Sequence, residues 1–207
     1  MYRSPWLRYM VDAPSHGYDF LSELQYIQTK YAQFYVRYKY EIKNINSPTG
    51  IESSNFLIDA YRKVFRLNAN YKISEQLAGV SRLEVVEYNN PIIGTKSGTL
   101  IFQDLIYTTE LKELSFSGRI ALFSVEDYNS RIYATESDVL NQYSVPLFQN
   151  CGVRYYLTVH YRFTKKVDTW IKYSQTTYNN VTTIGTGFQQ INGNVLGDLR
   201  LQLRWSL

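Results

Sequence analysis

The chain has 207 residues, of which 44% are hydrophobic and 16% aromatic, and a formal charge of +4. That much apolar residue excludes a disordered chain. A mean hydropathy of −0.32, with no run of about 18 apolar residues, excludes a helical membrane protein. The lone cysteine, Cys151, excludes an intrachain disulfide and a thiolate metal cluster.

Taken in chain order, the sequence reads as strands from the start, near 5–12 and 18–28. The next is a clear alternation: Phe34, Val36, Tyr38, Tyr40 and Ile42 lie between Gln33, Tyr35, Arg37, Lys39 and Glu41. Less regular strands follow near 57–73, 76–89, 97–110 and 112–124, with Lys63 on the wrong side for a strict pattern. In 152–164 the series Val153, Tyr155, Leu157, Val159, Tyr161, Phe163 alternates with Arg154, Tyr156, Thr158, His160, Arg162, Thr164. A strand near 166–178 again breaks the rule, at Trp170. The last alternates Leu199, Leu201, Leu203, Trp205 and Leu207 with Asp198, Arg200, Gln202, Arg204 and Ser206. The clear cases cover about ten residues each, the length of a tilted strand that crosses a bilayer.

The ten strands are joined by links of alternating length. Long ones are expected near 12–17, 44–56, 89–96, 125–150 and 179–196, and short ones near 29–31, 74–75, 111 and 165. Outer-membrane barrels have this asymmetry, with tight periplasmic turns and long external loops. It also places 131–142 within an external loop, as a hairpin arm above the membrane, because an eleventh strand would put a long link where a short one is due. A soluble antiparallel sandwich is the competing architecture, but its strands average five or six residues.

Sites of chemistry are sparse. No phosphate-cradling glycine loop or His-x-x-x-His spacing occurs. His160 lies on a polar strand face, and a lipase-type site would need a serine beside it. Residues 126–131 gather oxygen ligands without the spacing or turn glycine of an EF-hand loop, so an Asx-type turn is expected there. The chain is therefore expected to be no enzyme and to hold no cofactor or metal. In a barrel the polar series Arg37, Lys39, Glu41, Arg82, Glu84, Arg119, Arg154, His160, Arg162, Arg200 and Arg204 faces the lumen. Arg62, Arg66, Lys172 and Glu23 share that character. The apolar series Val36, Tyr38, Tyr155, Leu157, Val159, Leu201, Leu203 and Trp205 faces lipid. Lumenal charges of both signs either form ion-pair ladders or line an anion-favouring pore.

The stretches Ser4-Pro5-Trp6-Leu7-Arg8-Tyr9, 121–146, 152–163 and 183–194 resemble the barrel end of a family of outer-membrane proteins of Bacteroidota-type bacteria. These are labelled helix-hairpin-helix or competence-protein-like. The resemblance spans residues 4–207 and is most specific in 121–163. It implies an outer-membrane location, a larger parent barrel of which this is the C-terminal part, and a DNA-uptake role as one functional reading. It brings no catalytic residues, and no helical hairpin is visible here, so nucleic-acid binding does not carry over. The ending Trp205-Ser206-Leu207 departs from the terminal aromatic of common barrels. Met1 opens directly on strand-like sequence without an apolar leader, so a mature, trimmed or partial chain is expected.

The expected architecture is thus all-β: one antiparallel transmembrane β-barrel portion over 1–207, with a long external loop near 125–150. Its expected partners are the outer-membrane bilayer and envelope proteins meeting that loop, and its expected role is a channel or an envelope-complex component.

Overall fold

The computed structural model describes residues 1–7, 11–28, 31–47 and 56–206. Its strands are β1 (Tyr2–Ser4), β2 (Ser15–Gln28), β3 (Ala32–Asn46), β4 (Leu57–Lys72), β5 (Leu77–Asn90), β6 (Gly94–Thr108) and β7 (Leu114–Val125). There follow β8 (Ile132–Tyr133), β9 (Leu147–Phe148), β10 (Asn150–Thr164), β11 (Val167–Tyr178), β12 (Thr183–Ile184), β13 (Ile191–Asn192) and β14 (Val195–Trp205). A 10-stranded antiparallel sheet takes them in the order β1-β2-β3-β4-β5-β6-β7-β10-β11-β14, each long strand beside the one before it. The described residues contain no α-helix.

The alternation read from the sequence becomes two unlike faces. One face is covered by residues 126–149, hereafter the strap, and is called inner; the other is outer. Register carries the parity from strand to strand. Glu23, Arg37, Arg66 and Glu84 stand in one inner row. Leu24, Val36, Leu67, Leu83, Ile101, Leu122 and Val153 form one outer row across seven adjacent strands. The two exceptions resolve simply. Trp170 is inner and stacks on His160 at 4.5 Å, and Lys63 is outer, where it pairs with Glu87 at 2.8 Å.

Three sequence expectations are corrected. The long link near 89–96 is a tight turn, 91–93, because β5 runs to Asn90 and β6 starts at Gly94. Asn90 Oδ1 accepts from the backbone N–H of Ile92 and Ile93 at 3.0 and 2.8 Å, and Gly94 has φ +69°. The side chain thus replaces a longer loop with an Asx turn. The strand near 5–12 is replaced by β1 at Tyr2–Ser4, whose partners are Ser15–Gly17; residues 8–10 lie outside the described ones. Third, 131–142 does form part of a hairpin, through β8 with β9 and a bridge between Glu136 and Ser144. It does not stand clear of the sheet but folds back onto its inner face.

Within the described residues the sheet does not close into a barrel. β14 pairs only with β11, and β2 pairs with β3 and, over three residues, with β1. The remaining links, 47–56, 126–149 and 179–194, lie at one end of the sheet, and 29–31, 73–76, 109–113 and 165–166 at the other. Residues 29–30 and 48–55 of these links lie outside the described ones.

The apolar core lies between strap and sheet. Val86, Leu100, Phe102, Ala121 and Phe123 of the inner face pack with Ile132, Ala134 and Phe148 of the strap and with Tyr178. Phe148 meets Phe123 edge-on at 5.2 Å. The strap starts so close to β6 that a Cβ on Gly98 would collide with the carbonyl oxygen of Ser130. Phe148→Ala is expected to cost about 3–5 kcal/mol through the cavity it leaves. A urea titration would show it as a lower midpoint at unchanged slope.

Candidate functional site: the strap on the charged inner face

Every polar residue assigned to the lumenal series lies on the inner face, and every residue of the lipid-facing series lies on the outer one. The inner charges are gathered into local networks. At the β2–β3 side, Arg37 bonds Glu23 at 2.5 Å, and Lys39 pairs with Asp19 at 3.0 Å and Glu41 at 3.6 Å. Glu41 also pairs with Lys43. On β4 and β5, Arg66 donates twice to Glu84, at 2.8 and 2.9 Å, and Arg82 donates to Asn68 at 3.0 Å. Paired, fork-to-fork geometry of this kind gives Arg–carboxylate contacts their strength.

Mid-sheet, Arg119 donates to both oxygens of Asp104, at 2.5 and 2.6 Å. Its guanidinium lies 3.6 Å from the centroid of Phe102. Both partners are buried; the carboxylate satisfies Nε and Nη2 and the ring offers a cation–π contact, while Nη1 is buried without a hydrogen-bond partner among the described residues. Near the short-link end, Asp168 accepts from His160 at 3.0 Å, Arg162 at 3.1 Å and Arg204 at 2.5 Å. Ser115 stands opposite His160 in the β7–β10 register, yet among the described residues no hydrogen bond joins the two. The imidazole is spent on Asp168 and on its stack with Trp170.

The strap supplies a further network. It leaves β7 through a 3-10 turn, Tyr128–Ser130, capped by Asp127, whose side chain accepts from the backbone N–H of Asn129. The oxygen-rich stretch 126–131 is thus a capped turn. Ser130 Oγ bonds the carbonyl of Ser97, and Arg62 of β4 donates to the carbonyl of Arg131 at 2.8 Å. Further along, Glu136 clamps Arg154 at 2.7 and 2.9 Å, and Asp138 pairs with Lys172 at 3.2 Å and Arg200 at 2.5 Å. Between them Ser137 Oγ accepts from Ser117 Oγ at 2.9 Å, and the Ser137 backbone N–H donates to Tyr156 Oη.

Four acidic residues that organise these networks were not singled out from the sequence: Asp104, Asp168, Glu136 and Asp138. Asp104 and Asp168 carry the same parity as the cations on their neighbouring strands, and that parity is the signal that could have found them. Glu136 and Asp138 sit in a loop without periodicity, and only their charge, opposite to that of the strand faces, points to them. With this geometry in view, the chain was compared with known proteins. It matches none of the protein-family profiles and none of the curated proteins. The resemblance to the helix-hairpin-helix outer-membrane family therefore rests on the quoted segments alone.

Removing one member of the buried mid-sheet pair leaves the other charged and unpaired. Asp104→Leu is expected to cost about 3–5 kcal/mol, and Asp104→Leu with Arg119→Leu markedly less. A double-mutant cycle on unfolding free energies would measure the difference.

Proposed function

We propose that this sheet is part of a bacterial outer-membrane β-barrel that performs no catalysis and acts as a channel or an envelope-complex component, its lumen occupied by the strap. The observation that carries the reading is the inversion of the sheet. Its charged face is the one the strap covers, from β4 to β14, and its apolar face is open. Leu24, Ile101, Ile120, Leu157, Leu199 and Leu201 are between 49% and 75% exposed. A soluble sandwich would bury that face under a second sheet, and no second layer covers it among the described residues. An apolar surface that spans nine strands is far larger than the few hundred Å² that soluble monomers expose.

The dimensions agree with a bilayer. On β10 the outer residues Val153 to Phe163 cover ten steps of about 3.3 Å, or about 33 Å of strand. Tilted by roughly 40°, this gives an apolar band about 25 Å tall, the height of an outer-membrane barrel's lipid belt. Tyr107, Phe116, Tyr161, Phe163 and Trp205 cluster on the outer face toward the short-link end, where an interfacial aromatic girdle belongs.

The free edges fit a larger closed structure. β2 and β14 both run from the long-link end to the short-link end, so an antiparallel closure needs an odd number of strands between them. β1 fills the first three positions of that place. An odd number added to the nine long strands gives the even total of single-chain outer-membrane barrels. A role in DNA uptake gains no observation from the inner face, where carboxylates already hold the cations that would meet phosphates.

Leu157, at the middle of β10, is the test position. Leu157→Arg is expected to lower folding stability in lipid vesicles by about 2–4 kcal/mol, while the unsubstituted chain shows heat-modifiable migration on a gel. A monodisperse monomer in detergent-free buffer would overturn the membrane reading.

A further inference from the structure

Lys172 and Arg200 stand directly opposite each other on β11 and β14, a like-charge pairing that an antiparallel sheet disfavours. Lys172 is 1% exposed, and a buried ammonium persists only with counter-charge and hydrogen bonds around it. Arg154 lies on the adjacent β10, bonded to Thr176 Oγ1 at 2.8 Å. The three cations thus form a patch across three neighbouring strands, and the ring of Tyr156 backs Lys172 at 5.0 Å.

The sheet itself offers this patch one carboxylate, Asp198, 2.7 Å from Arg200 Nε. The remaining counter-charge comes from the strap. Asp138 bridges Lys172 and Arg200, and Glu136 clamps Arg154 while it also reaches Lys172 at 3.5 Å. Two carboxylates on a loop therefore occupy a site whose cations all belong to the sheet. We propose that Arg154, Lys172 and Arg200 form a binding site for a small oxyanion of the phosphate or dicarboxylate class. Glu136 and Asp138 fill it in cis, and an external oxyanion takes it over when the strap withdraws. The site rests on inner-face side chains and does not depend on whether the outer face meets lipid.

The test uses the full chain in detergent micelles at fixed ionic strength, with chloride as background anion and inorganic phosphate and succinate as probes. Trp170, two residues from Lys172 on the same face, reports by fluorescence. Asp138→Asn is expected to bind at least one probe saturably and at least tenfold more tightly than the unsubstituted protein. Adding Lys172→Gln to that variant is expected to abolish the gain. A response to phosphate alone assigns the site to phosphate-bearing solutes, and one to succinate alone assigns it to dicarboxylates. A folded Asp138→Asn chain that binds neither probe more tightly, or that keeps its gain with Lys172→Gln, overturns the proposal. Should the variants fail to fold, protease cleavage of the unsubstituted chain within 134–146 is followed with added probe. Faster cleavage supports displacement of the strap, and unchanged cleavage overturns the proposal. Failure of the membrane reading would show separately, as folding without detergent.

Discussion

A β-strand offers its side chains two directions, and the long strands here send almost all their formal charge in one of them. Asp59, Lys63 and Glu87, all toward the long-link end, are the exceptions on the outer face. Once charges of adjacent strands share a face, they meet at the spacing of a sheet, about 5 Å, and most have lost part of their water. Each cation then needs a carboxylate or another acceptor within reach, as Arg82 has in Asn68 and Arg62 in the Arg131 carbonyl. Arg66 finds one across β5 and Arg119 across β6, while Arg162 and Arg204 share Asp168. Where the strands run short of acid, on β10, β11 and β14, the chain brings it in from the strap. The fold of 126–149 is thus a consequence of how the sheet distributes charge, as well as of the apolar contacts of Ile132 and Phe148.

The same segregation fixes the outer face. A strand that spends every second residue on an ion-pair network has only the remaining residues to meet its surroundings, and here these are mostly Leu, Ile, Val and aromatic. Some polar groups among them bond one another: Ser81 donates to Gln103 at 2.5 Å and lies 3.3 Å from Tyr71 Oη.

Much of this was legible in the sequence, because a period of two survives every local irregularity. The faces of Arg37, Arg154, Arg200, Val36, Leu157 and Leu201 follow from counting, and so do the strand order and most link positions. Boundaries were less accessible. The turn at 91–93 depends on one Asn side chain capping two backbone groups, which shortens a link that composition reads as long. The destination of the strap was not legible either. Nothing local distinguishes a loop that stands in solvent from one that folds back, because the energy that decides lies in pairs such as Glu136 with Arg154, far apart in sequence. Whether the sheet closes is likewise beyond a single-strand pattern: among the described residues the edge of β14 is open and that of β2 meets β1 over three residues only.

Gly98 has a mechanical consequence. At this crossing the strap touches β6 backbone to backbone, held by the Ser130 hydroxyl, by Glu126 on the Ser97 backbone and by a glycine without room for a side chain. The hydroxyl and backbone contacts among these are nearly indifferent to salt. The other end is held through charges, and Arg200, at its rim, is open to solvent ions. The two ends of one segment therefore answer to different variables. Rising ionic strength screens the Asp138–Arg200 contact at the rim first, while the buried pairs of Glu136 and Asp138 with Lys172 and the backbone contacts at the root are screened far less.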